Sequence, residues 1–278
     1  MKLSKVILII AKDDLISSHT LFRKGLYPQS LFFLQQSIEK ANKALALDCG
    51  IIKPDDLHKE IGHNTYKIYN KYLKKEMETI NILSEAINKK PKLKESKIIN
   101  YLSTMELKKY YDHVLRYNVP SFKPTKRNVL IFINMYKGIR LPKYKVTKYF
   151  TKWLKDAFIF SKQESIKILN AIDSPEAREE ANRLSMININ KISERTYLRI
   201  AQTLIAPMNK IPVLVRNILV LYYASLLTDK LAVEPRYPVK MSKVPRLVYG
   251  RNHNLVLFYN QVFKIVRNTL YEMDSFIK

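Results

Sequence analysis

The chain has little glycine, almost no cysteine and few acidic side chains. Its five glycines, Gly25, Gly50, Gly62, Gly138 and Gly250, are nowhere closer than 12 residues apart. No glycine-rich phosphate loop or dinucleotide fingerprint can be built from such spacing, which excludes kinase-like and Rossmann-type nucleotide chemistry. The single Cys49 excludes an intramolecular disulfide framework and any multi-cysteine zinc or iron–sulfur site. No cofactor and no metal are expected, and the thiol usage fits a reducing, cytoplasmic compartment. Long hydrophobic runs are also missing. Val6 to Ala11 is too short for an export signal and is followed at once by Asp13 and Asp14. Ile211 to Leu227 is interrupted by Pro212, Arg216 and Asn217, whereas a spanning helix needs about 20 apolar residues. It reads as a core helix, and no membrane association is expected.

What is present is basic charge and a large apolar fraction. Forty-nine Lys+Arg against 24 Asp+Glu leave a formal net charge of +25, which calls for a negatively charged partner. With 47% hydrophobic and 11% aromatic residues, the chain can bury a substantial core. Hydrophobic periodicity is helical almost throughout, so the expected fold class is all-α. A first helix is expected over residues 5–24, ended by Gly25, and a second from Pro28 to Cys49, ended by Gly50. The second helix has an inward stripe of Leu31, Leu34, Ile38, Ala41 and Leu45, with Gln35, Gln36, Glu39 and Lys43 on the other faces. Further helices are expected after the Ser174-Pro175-Glu176 start, from Ser193 to Leu204, from Pro212 to Leu227 and from Asn254 to Phe276. Cys49 reads as a packed residue at a helix end.

The charge is unevenly spread. Residues 1–69 carry 10 basic and 7 acidic side chains, 70–212 carry 29 and 13, and 213–278 carry 10 and 4, giving balances of +3, +16 and +6. Within the middle segment, residues 86–156 hold 18 Lys+Arg against 4 Asp+Glu.

The stretch from Gly25-Leu26-Tyr27-Pro28 through Gln35-Gln36-Ser37-Ile38-Glu39-Lys40-Ala41-Asn42-Lys43-Ala44-Leu45 resembles the signature helix of HEPN domains. Gly62-His63-Asn64 is similar to the family's start of its third helix, and Glu234-Pro235-Arg236-Tyr237-Pro238 is similar to a segment before its last one. The resemblance implies an up-down helical bundle formed by residues 1–69 and 213–278, interrupted by a basic all-α insertion over 70–212. Residues 1–69 alone supply too few apolar faces for a stable bundle, which agrees with completion by the C-terminal helices. The family further implies a homodimer, RNA as the favoured nucleic acid, and a place in defence or toxin–antitoxin systems. An alternative it leaves open is a non-catalytic module for dimerisation or nucleotide binding, serving a nucleotidyltransferase or antitoxin partner.

Catalytic members of the family are metal-independent ribonucleases with an Arg-x(4–6)-His motif. In that chemistry the 2′-hydroxyl attacks the neighbouring phosphate, His moves a proton and Arg stabilises charge developing on the phosphate oxygens. Arg246 and His253 have this spacing here, although Leu247 stands where the family has a polar residue and Asn254-Leu255 follows where it has tyrosine. Nucleic-acid contacts are expected from Lys123, Lys126, Arg127, Lys137, Arg140 and Lys143, and from Lys145, Lys148, Lys152 and Lys155, which recur at helical spacing. Arg236 and Arg251 join this set. Tyr149, Phe150, Trp153, Leu154, Ala157 and Phe158 fall on other faces of the same helix, and the aromatics are expected in its core. His58 and His63 lie five apart, a spacing that does not align them on one helical face, so capping and hydrogen bonding are expected of them.

Overall fold

The computed structural model describes residues 1–63, 65–89, 124–141, 145–172, 174–232 and 248–277, and every regular element among them is helical. The fold is all-α. Helix α1 (Leu3–Arg23) and helix α2 (Tyr27–Asp48) form an antiparallel hairpin. Gly25 closes the turn at φ +75°, where a side chain would meet its own backbone, and Leu26 N–H reaches back to Leu21 O at 3.0 Å. The hairpin is laced by a hydrogen bond from Ser18 Oγ to Ser30 O at 2.7 Å and by the ion pair of Lys40 with Asp14.

A single π-turn (Leu57–Ile61) leads to α3 (Tyr66–Lys89). Further along come α4 (Lys126–Gly138), α5 (Lys148–Ile172), α6 (Pro175–Met186), α7 (Glu194–Thr228), the short α8 (Asn254–Leu257) and α9 (Tyr259–Met273). They are distributed over two compact units, the first made of residues 1–72, 117–141 and 212–278, the second of 73–116 and 142–211.

In the first unit, the whole expected stripe of α2 enters the core with Leu8, Ala11 and Leu15 of α1. Helix α9 buries Tyr259, Val262, Ile265, Val266, Leu270 and Met273, a three-and-four spacing that lays one face on the hairpin. Each such side chain contributes about 1.5–3 kcal/mol when fully buried. Polar ties fix the pairing of α1 with α9. Lys5 and Lys12 both reach Asp274, and Ser18 shares a 2.6 Å hydrogen bond with the Tyr259 hydroxyl.

Residues 124–141 correct the expected boundaries, because they fall in the presumed 70–212 insertion yet belong to the first unit. Helix α4 buries Val129, Phe132 and Ile133 in the same core as α1, α2 and α9. Thr125 caps it by accepting from Asn128 N–H at 3.2 Å, and Asn268 of α9 donates to the Tyr136 hydroxyl at 3.4 Å. The basic residues at both ends of this helix obscure its apolar face in the sequence.

Two other expectations are revised. The helices expected at Ser193–Leu204 and Pro212–Leu227 are one helix, α7, despite Pro207 and Pro212. Each proline forfeits a backbone hydrogen bond. Packing on both sides holds the helix through them, with Tyr197 and Ala201 buried in the second unit and Val220, Leu221, Ala224 and Leu227 in the first. Among the described residues α7 is the one helix long and apolar enough to cross a membrane; part of that apolar surface is buried at these positions, while Ile211 and Val215 are exposed. The last helix is broken at Phe258 (φ −104°, ψ 11°) into α8 and α9.

In the second unit, α5 and α6 form a hairpin begun at Ser174, whose hydroxyl accepts from Ala177 N–H at 3.1 Å. The unit's core gathers Leu154 of α5 with Tyr197 and Ala201 of α7, flanked by half-buried Phe150, Phe158 and Leu204. Lys162 Nζ donates to the carbonyls of Ser185 and Ile187 at 2.9 and 2.7 Å, satisfying acceptors left over at the end of α6.

Candidate nucleic-acid interface

One end of the bundle collects part of the expected set. Asn254 Nδ2 donates to Pro124 O at 3.0 Å, which holds the segment carrying Arg251 and His253 against the start of α4, where Lys126 and Arg127 stand. All three basic side chains are exposed. His253 is half-buried, with its ring edge-on to Tyr249 at 5.0 Å between centroids. Its backbone is tied on both sides, His253 N–H to Gly250 O at 3.0 Å and Val256 N–H to His253 O at 2.8 Å. Arg246, the expected partner of His253, lies outside the described residues, as do Lys123, Lys143 and Arg236.

Lys137 and Arg140, both exposed, sit at the other end of α4 in the same unit. Lys145, Lys148 and Lys152 are exposed and Lys155 is half-buried, all on or just before α5 in the second unit. A patch that reads as continuous in sequence is thus shared between two units.

The aromatics of α5 correct an expectation. Leu154 is buried and Phe150 and Phe158 are half-buried, but Tyr149 is 87% exposed, Trp153 52% and Phe160 41%. Phe150 lies against Trp153 with 5.5 Å between ring centroids and 30° between planes. The helical spacing puts Leu154, Phe150 and Phe158 against Tyr197 and Ala201 of α7, and among the described residues Tyr149, Trp153 and Phe160 lie outside that core.

The polar residues of α2 also sit differently from the expectation. Gln35, Glu39 and Asn42 recur at four- and three-residue spacing and face inward, whereas the apolar stripe predicts outer faces for Gln35 and Glu39. Glu39 is only 4% exposed and is bound by Lys43 at 2.7 Å, Gln35 at 3.0 Å and His63 Nδ1 at 3.2 Å. Burial pushes its carboxyl up, but the Lys43 ammonium, the Gln35 amide and His63 together outweigh it and hold the carboxyl below its ordinary range. Asn42 donates to Ser225 Oγ of α7 at 2.8 Å and accepts from the Tyr69 hydroxyl of α3. Burial raises the Tyr69 hydroxyl far above its usual value, so it stays a donor. The most distinctive polar run in the sequence therefore locks α2 to α3, α7 and the His63 turn. The signal for this was available: three polar residues in register on one helical face, beside the apolar stripe.

Among the described residues no three His, Cys, Asp or Glu side chains are placed to hold a metal ion. Cys49, expected to be packed, is exposed at the end of α2.

The bundle of α1 to α4 carries the family assignment. Residues 4–141 match the family model of the HEPN domain, and the chain belongs to the HEPN-domain family. The match includes α4, the helix that the structure also returns to the first unit. No curated protein and no solved structure matches the chain.

Proposed function

We propose that this HEPN protein binds nucleic acid, RNA in preference, and cleaves it without a metal at the end of the bundle marked by His253. The observation that carries the reading is the clamp between Asn254 and Pro124, which gathers Arg251, Lys126 and Arg127 beside a histidine held by its own backbone. Such a cluster neutralises phosphates, and their counterions are released on binding. His253 moves the proton and Arg246 steadies the phosphate charge in the cyclising attack of a 2′-hydroxyl. The protein acts as a cytoplasmic homodimer in a defence or toxin–antitoxin setting.

The second reading is a non-catalytic module that dimerises or holds a nucleotide for a nucleotidyltransferase or antitoxin partner. Leu247 after Arg246 and the edge-on packing of His253 against Tyr249 favour it.

Incubation of the full chain with total and synthetic RNA, in the presence of a chelator, separates the two. Cleavage ending in 2′,3′-cyclic phosphate, lost in His253→Ala with folding and affinity retained, supports the first. Binding without cleavage selects the second. Absence of binding at 50 mM salt, or affinity that does not fall with salt, overturns the nucleic-acid reading altogether.

A further inference from the structure

The exposed rings of α5 have no role in the site described above. Tyr149 and Trp153 are one helical turn apart, and Phe160 lies two turns further on nearly the same azimuth, so the three rings form a row. Burying large aromatic surface is the strongest tendency these side chains have, which makes a row of them in solvent a feature to be explained. The row is bordered by Lys145, Lys148 and Lys152, all exposed. The helix offers little to oppose an anion. Of its two acidic residues, Glu164 is buried and paired with Lys167 at 2.9 Å, leaving Asp156 as the exposed one.

Resting on the nucleic-acid reading above, we propose that this face of α5 is a stacking platform for unpaired bases, with the lysines tracking the sugar–phosphate backbone. Charge complementarity selects the class of partner, and ring spacing selects its state. At 1.5 Å rise per residue, Tyr149 and Trp153 are offset by about 6 Å along the axis and Trp153 and Phe160 by about 10 Å. Bases in a duplex strand follow one another at about 3.4 Å with both faces covered, so they cannot offer π-faces at these intervals. A single strand can open to them. Phe150 backs one side of Trp153, which fixes the indole and leaves its other face to the ligand. Asp156, Lys152 and the exposed Gln163 interrupt the row, which suits discrete bases better than a lipid surface, where a continuous apolar face is required.

Trp153 is the only tryptophan in the chain, so stacking has an intrinsic optical signal. The test titrates the full-length protein with an unlabelled single-stranded 20-mer and with its duplex, reading tryptophan fluorescence, while anisotropy of labelled versions gives affinity. The single strand should quench Trp153 saturably and the duplex should leave it unchanged. Tyr149→Ala/Trp153→Ala should weaken single-strand binding about 10-fold or more while leaving duplex affinity within about two-fold. The triple variant Lys145→Ala/Lys148→Ala/Lys152→Ala should weaken both and lower the single-strand salt slope by about 2. Circular dichroism confirms that these surface variants fold.

Unquenched fluorescence at saturating single strand, with the aromatic variant binding like wild type, overturns the platform while the nucleic-acid reading stands. Failure of the wild type to bind either oligonucleotide at 50 mM salt overturns both. A blue-shifted indole on anionic phosphatidylglycerol vesicles, without any response to the single strand, assigns the face to membranes and also overturns the proposal.

Discussion

The bundle core and the outer face of α5 treat aromatic side chains in opposite ways. In the bundle, Phe22 stacks on Tyr259 at 3.9 Å, His19 on Phe263 at 4.5 Å, and Tyr259 is fully buried with its hydroxyl bonded to Ser18. On the outer face of α5, Tyr149, Trp153 and Phe160, at equally regular helical spacing, stand in solvent beside lysines. Periodicity tells which residues share a face. Whether that face is covered depends on what is available to pack on it, and among the described residues the bundle core draws on α1, α2, α4, α7, α8 and α9 whereas the core under α5 draws on α5 and α7. A buried ring is a stability element. An exposed one is free to serve a ligand.

Mutation can break this contrast. Tyr259→Ala should cost about 3–5 kcal/mol, by cavity formation and loss of the Ser18 partner, whereas Tyr149→Ala should stay within about 0.5 kcal/mol. Urea unfolding followed by far-ultraviolet circular dichroism decides, and equal losses would erase the distinction. The next largest effect is expected at the buried polar lock. Glu39→Ala leaves Lys43 and Gln35 without their acceptor and should destabilise by about 2–4 kcal/mol. Its pH dependence has a definite sign. Because the folded carboxyl titrates below its ordinary value of 4.5, its stabilisation is complete above that value and fades as pH falls through the depressed one. Glu39→Gln should therefore flatten the acid side of the stability profile, below the ordinary value of 4.5, relative to wild type. The smallest effects sharpen the comparison by matching the two units. Thr125→Ala at the start of α4 and Ser174→Ala at the start of α6 each remove one capping acceptor and should each cost about 1 kcal/mol. A much larger loss for Thr125→Ala would show that α4 depends on its cap more than on Val129, Phe132 and Ile133.

Much of the bundle was legible beforehand. Gly25, Pro28 and Gly50 punctuate the α1–α2 hairpin within a residue or two of its observed ends, and the Leu31 to Leu45 stripe enters the core as its spacing dictates. The family was legible in the polar positions of α2, although their physical role was not, because Gln35, Glu39 and Asn42 become inward-facing only once α3 and α7 supply partners distant in sequence. Helix α4 was hidden by charge. Its ends are basic while its middle packs into the bundle, and a count of lysines and arginines averages over that difference. The candidate site was legible as residue types and less so as an arrangement. The bond from Asn254 to Pro124 joins segments 130 positions apart, which no local pattern announces.

That same long-range closure sets the order in which the protein can mature. The α1–α2 hairpin is complete after about 50 residues, but its apolar face waits for α9, whose Tyr259 and Asp274 meet Ser18 and Lys5 across more than 240 positions. At a synthesis rate of about 5–20 residues per second, the nascent hairpin waits on the order of 10–50 s for α9, with α4 and α7 emerging in between. During that interval the ribosome holds a basic middle segment and an incompletely covered apolar hairpin on one chain. Chaperone demand should therefore concentrate on the α1–α2 hairpin and end only when α9 leaves the exit tunnel.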